Sequence, residues 1–130
     1  MTTYELSSLY YVRKSVERCQ ERLTEIEAKM YPGGNGGVGG SSGETNSRTE
    51  NVALQIIEYR DRLSAELTRF EAERNRLEGY LAAVEDPMIR LIMLYRFVDL
   101  LSWEEVAGKL GGGNTEYSVK KMCYRYISKH

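Results

Sequence analysis

Between Tyr117 and His130 the chain carries four basic side chains, Lys120, Lys121, Arg125 and Lys129, and no acidic one. Tyr117 and Tyr124 are interleaved with them. On a helix capped by Thr115, this spacing puts Val119, Met122 or Cys123, and Tyr126 on one face. Glu116, Tyr117, Ser118, Lys120, Lys121, Tyr124 and Arg125 then fall on the opposite face and, with Thr115 at its start, are the candidate DNA contacts. Ammonium and guanidinium groups neutralise phosphates, and side chains of the first helical turn can reach base edges. The chemistry this pattern offers is recognition of double-stranded DNA. The plainer alternative is a solvated basic face on a helix that only packs.

Other chemistries find little to work with. The one histidine is His130, and without it no Ser/His/Asp or Cys/His set can be assembled. The chain is therefore expected not to be an enzyme. Cys19 and Cys123 stand far apart, which fits neither a disulfide framework nor metal-ligand spacing. The carboxylates lie among arginines at helical surface spacing, as a solvated face does, so no metal and no cofactor is expected. The glycine run over 31–47 lacks the preceding buried strand and the Gly-Lys-Ser/Thr ending that a phosphate-cradling loop requires.

The elements that would position the basic face can be read just upstream. Asp86-Pro87 supplies an N-cap followed by proline at the first helical position. Met88 to Leu101 is apolar on most sides and predicts a helix buried on several faces. Ser102-Trp103-Glu104-Glu105 has the capping-box pattern, starting a short helix that turns Val106, Ala107 and Leu110 inward. Gly111-Gly112-Gly113-Asn114 supplies a turn needing positive φ, and Thr115 caps the last helix. This order is a helix-turn-helix. Trp103 is read as partly buried against the first helix of the unit rather than as a base or partner contact.

Two longer helical patterns precede this unit. Leu9, Val12, Val16, Cys19, Leu23, Ile26 and Met30 alternate in steps of three and four, as in a coiled-coil strand or an amphipathic bundle helix. Pro32 and seven glycines make 31–47 a flexible linker by composition. From 48 to 85 the apolar steps resume through Ala53, Ile56, Leu63, Leu67, Phe70, Leu77, Leu81 and Val84, with Arg60 and Arg74 in the seam. Those arginines either meet Glu17 and Glu21 or lie at the seam edge and reach water. Gly79 is either a hinge or a tolerated surface glycine. The expected fold class is all-α: an antiparallel coiled-coil hairpin over 1–85, then a three-helix helix-turn-helix unit over 86–130. Val16, Leu23, Ile26, Leu63, Leu67, Phe70 and Leu77 are the expected seam of the hairpin or of the oligomer. Two such helices leave apolar edge exposed, so a homodimer or higher oligomer is expected.

Net charge is −1, but it is unevenly distributed. Residues 1–86 hold eleven basic and fifteen acidic residues, whereas 87–130 hold seven and four. A basic end suits a polyanion, and an acidic remainder suits solvent or protein. No apolar run approaches the length of a membrane span, and the first residues lack the basic and apolar regions of a signal peptide. With few cysteines, the expected location is a reducing cytoplasm.

At these residues the chain resembles region 4 of bacterial sigma factors. More narrowly, it resembles small phage-encoded regulators with a region-4-like helix-turn-helix, such as late-gene activators of phages of Gram-positive bacteria. The matching residues are Asp86-Pro87, Arg90, Arg96-Phe97-Val98-Asp99, Leu101 to Ala107, Leu110-Gly111, Ser118-Val119-Lys120 and Tyr124-Arg125-Tyr126. The resemblance spans roughly a third of the chain. It implies that the last helix enters the major groove and that RNA polymerase is a second partner. The turn between Gly111 and Val119 is about two residues longer than the compact sigma pattern, and no other sigma region is visible upstream. The implied function is a transcriptional regulator of phage or prophage origin. Two other readings stay open: a DNA-packaging recognition subunit resembling small terminase subunits, and a coiled-coil interaction module that does not touch DNA.

Overall fold

The computed structural model of the chain describes residues 1–30 and 42–130, with side chains of the second stretch described from residue 48. The chain is all-helical, with no strand among the described residues. The helices are α1 (Thr3–Leu6), α2 (Ser8–Met30), α3 (Ser42–Leu81), α4 (Pro87–Met93), α5 (Trp103–Leu110) and α6 (Glu116–Lys129). The linker expected over 31–47 lies outside the described residues for 31–41, and α3 begins at Ser42. No helix among the described residues is long and apolar enough to cross a membrane.

The chain divides into two compact units. Residues 14–68 form one, and residues 1–13 with 69–130 form the other. In the first of these, Leu23 and Ile26 of α2 and Val52 and Ile56 of α3 make a buried cluster, joined by half-buried Met30, Tyr59 and Leu63. Cys19 Sγ lies 3.6 Å from the Tyr59 carbonyl oxygen, which it reaches as a weak donor. The seam arginine Arg60 meets Glu27 at 3.3 Å, and both side chains remain well exposed. Arg60 therefore runs along the seam edge to water. Leu67, placed in the seam by its spacing, is 49% exposed, while Val52 and Tyr59, outside that spacing, join the cluster. A straight α-helix drifts against a strict seven-residue repeat, so a seam extrapolated over several turns loses register.

The other unit holds the larger core. Leu6, Leu9, Leu77, Leu81, Ile92, Met93, Phe97, Val106, Val119 and Cys123 are among its buried side chains. α6 packs against both α4 and α5. Each turn has a local cause. α3 ends at Leu81, and Val84 closes the chain back with a hydrogen bond to the Leu81 carbonyl at 3.1 Å. The Arg90 Nη1 donates to the Val84 carbonyl at 2.9 Å. Asp86 accepts from the amides of Met88 and Ile89 at 2.9 and 3.3 Å, and Pro87 opens α4 where its missing N–H costs nothing.

The apolar run Met88–Leu101 does not make one uninterrupted α-helix. From Leu94 to Val98 the backbone widens into a π-helical turn, closed by the Asp99 amide on the Leu94 carbonyl at 2.9 Å. Leu100 then adopts φ +59, the only positive φ among the described non-glycine residues. The widened turn and the left-handed residue swing the chain into the extended Ser102 cap (φ −67, ψ 160), where α5 starts. The sequence predicts a break here through its cap. The π turn is invisible to apolar spacing, because tertiary packing decides which carbonyl each amide reaches.

Candidate nucleic-acid interface

The capping box at α5 forms in both directions: the Glu105 amide donates to Ser102 Oγ and the Ser102 amide donates to Glu105 Oε1, each at 3.2 Å. The Ser102 backbone hydrogen bond, with help from its side chain, holds the Glu105 carboxyl below the usual carboxylate range. Val106 and Ala107 are buried and Leu110 is half-buried, as the sequence predicts. Trp103 is also buried, with the Arg96 guanidinium 4.7 Å above its ring and the Tyr124 ring 5.8 Å away.

The turn to α6 runs through Gly111, Gly112 and Gly113 at φ +67, +65 and +78. Asn114 fastens it, its amide nitrogen donating to the Gly111 carbonyl at 2.7 Å. Thr115 then caps α6, accepting from the Ser118 amide at 3.1 Å while Ser118 Oγ accepts from the Thr115 amide at 2.9 Å. Ser118 Oγ also donates to the Thr115 carbonyl at 3.0 Å. The hydroxyls of Thr115 and Ser118 thus hold the helix end and are engaged before any ligand arrives.

The remaining residues assigned to this face, Glu116, Tyr117, Lys120, Lys121, Tyr124 and Arg125, are all exposed. Tyr117 is 72% exposed, and the Lys121 ammonium lies 5.7 Å from its ring centre. Val119 and Cys123 are fully buried beneath, with Met122 and Tyr126 partly so. Burial pushes the Cys123 thiol up to about 12, the Arg96 charge pulling weakly the other way. Lys120, Lys121, Arg125 and Lys129 form no ion pair with any described residue. On α3, by contrast, Arg60, Arg62, Arg74 and Arg76 each meet a glutamate within 3.5 Å. These four arginines of α3 are compensated within the chain, and the basic side chains of α6 are left open.

Of the residues assigned to the seam, Val16, Leu23, Ile26 and Leu77 are buried, Leu63 and Phe70 half-buried, and Leu67 exposed. They fall in both compact units: Leu23, Ile26 and Leu63 around one core, Phe70 and Leu77 around the other. Among the described residues no group of three or more His, Cys, Asp or Glu side chains is placed to hold a metal.

Sequence reasoning missed the neighbours of Tyr124 from the start of the chain. Ser7, Tyr10 and Tyr11 line a groove with Tyr124 and Arg96. One local signal was present: Thr2-Thr3-Tyr4-Glu5 is a capping box, and both of its hydrogen bonds form, starting α1. Which residues share a groove with Tyr124 is a long-range matter that no local pattern carries.

Comparison with protein-family models finds no match, and comparisons with curated proteins and with solved structures find none either.

Proposed function

We propose that this protein is a sequence-specific DNA-binding transcriptional regulator of phage or prophage origin. In this reading α4, α5 and α6 act as a helix-turn-helix, with α6 in the major groove. α2 and α3 act as an antiparallel hairpin that brings two or more copies together. The observation that carries the reading is the open charge of α6: Lys120, Lys121 and Arg125 exposed and unpaired among the described residues, beside exposed Tyr117 and Tyr124. On a helix that only packs, such cations are merely solvated. A phosphate-binding helix gains the release of about 0.9 condensed counterion per phosphate contacted.

The phage origin and the role in transcription rest on the resemblance to sigma region 4, which also makes RNA polymerase a second partner. Oligomer formation is supported by Leu54, Ile57 and Leu67, large apolar side chains left exposed on α3. A second copy would cover them.

The test is binding to duplexes from the genomic neighbourhood of the coding sequence, across a salt series, beside a Lys120→Ala/Lys121→Ala/Arg125→Ala variant. The expected result is one duplex bound tightly, with a log–log salt slope that falls by about 0.9 for each phosphate contact removed in the variant. Absence of binding by the unaltered protein even at low salt would sink the reading. The mass of the oligomer separates it from a packaging subunit: a dimer supports the regulator, a large ring the packaging role.

A further inference from the structure

Tyr124 faces two ways. It belongs to the exposed face of α6, and it also walls a groove of about 380 Å³ whose other side is the junction of α1 and α2. Ser7, Tyr10, Tyr11 and Arg96 supply the rest of the polar lining, over a floor that includes Phe97. The lining holds one guanidinium, hydroxyl groups and no carboxylate. Tyr10 and Tyr11 are 41% and 62% exposed, and their rings stand edge to face at 5.3 Å, each limiting the other's movement.

Tyrosine and serine hydroxyls beside a fixed guanidinium are donors suited to one ligand class above others, the phosphodiester of a nucleic-acid backbone. An acidic peptide would also find the cation, but the groove shares Tyr124 with the α6 face that carries Lys120, Lys121 and Arg125. A duplex backbone, with regularly repeated charge, suits two such neighbouring surfaces. We propose that Ser7, Tyr10 and Tyr11 form a backbone clamp for DNA. In it the beginning of the chain, and not only the helix-turn-helix, grips a phosphate flanking the site that α6 reads. This inference rests on the DNA reading above.

The clamp makes a distinctive prediction, because its donors are neutral. Losing them weakens binding without releasing fewer counterions, so the salt slope stays constant. The experiment uses the full chain and the duplex it binds best, comparing the unaltered protein with Tyr10→Phe/Tyr11→Phe, Tyr11→Glu and Lys120→Ala/Lys121→Ala. Thermal unfolding establishes that each is folded. The expected result for Tyr10→Phe/Tyr11→Phe is a loss of about 10-fold, the size of two neutral hydrogen bonds, at an unchanged salt slope. One phosphate should also drop out of the ethylation-interference pattern. Tyr11→Glu should lose more, by repulsion. If both tyrosine variants bind like the unaltered protein with the same interference pattern, while Lys120→Ala/Lys121→Ala binds weakly, the clamp is refuted and the DNA reading stands; a groove that holds a peptide gives this result. If the unaltered protein retains no duplex at low salt, both fall together.

Discussion

The guanidinium of Arg96 lies 4.7 Å over the indole of Trp103, and its Nη1 donates to the Leu101 carbonyl at 2.9 Å. One side chain thus fastens the end of the π turn to the first residue of α5 across the strained Leu100. A left-handed leucine costs about 1–3 kcal/mol and persists only where its surroundings over-determine it. Arg96 supplies part of that determination. Trp103 also contacts Tyr124, so the same pair supports the α6 face from beneath.

Replacing Arg96 by alanine should therefore destabilise the unit by about 1–3 kcal/mol, combining a partly desolvated cation–π contact with a charge-assisted hydrogen bond. Arg96→Lys should recover only part, because an ammonium lacks the planar fork that stacks and donates at once. Trp103 is the single tryptophan, so its fluorescence in a urea titration reports this unit directly. Equal midpoints for Arg96→Ala and the unaltered protein would remove the pair from the fold's support.

The capping box at α5 predicts a pH dependence. Glu105 titrates below the usual carboxylate range when folded, chiefly because the Ser102 amide donates to it. Its contribution is complete above the unfolded-state value near 4.3 and is lost as pH falls through the lower folded value. Glu73 adds to the same window, held down first by Arg76 and also by the Ser8 hydroxyl. Stability should fall on acidification below about pH 4.5. Glu105→Gln should flatten that fall, and Ser102→Ala should cost about 1 kcal/mol at neutral pH. Urea midpoints measured from pH 3 to 7 check both.

Local chemistry explains why the C-terminal unit was so legible. Asp86-Pro87, Ser102 to Glu105, the three glycines and Thr115 each fix their own backbone within a few residues, and the hydrogen bonds form where the residue types place them. Long-range geometry was less legible. Leu67 reads as seam of hairpin or oligomer and is exposed within the single chain, because which turns of a helix as long as α3 meet another helix depends on tertiary packing. The π turn at Leu94–Val98 and the groove that Tyr10 and Tyr11 share with Tyr124 have no local signature. The exposed face of α6 was recoverable from spacing. The diversion of Thr115 and Ser118 into the cap was only half visible, since a serine at the third helical position is a less familiar cap partner than a glutamate.

Cys123 is buried between α6 and the core, and burial raises its thiol to about 12. It should resist thiol reagents at pH 8 in the folded protein and react fully in denaturant. A group with a raised value stabilises the fold below its unfolded value near 8.5, and that contribution is lost as pH rises toward about 12. Stability should therefore decline above pH 8.5. Cys123→Ser buries a hydroxyl in an apolar site and should cost about 1–3 kcal/mol. Mass spectrometry of alkylated protein, native against unfolded, distinguishes a protected thiol from an accessible one.

Two kinds of glycine make opposite predictions from the same substitution. Gly79 lies within α3, and a Cβ built there meets nothing within 4 Å. Gly79→Ala should stabilise the protein by about 0.5–1 kcal/mol, since alanine loses less backbone freedom and encounters no clash. The same gain would count against a need for flexibility at this point if DNA binding were also unchanged. Gly111 and Gly113 are equally open in space, yet both sit at positive φ. There alanine should cost about 1–2 kcal/mol per position through backbone strain alone. The loss would appear between α5 and α6, where the turn sets the angle of the exposed basic face. Thermal unfolding of the three alanine variants decides the matter: one midpoint should rise and two should fall, although no side chain is lost from any contact.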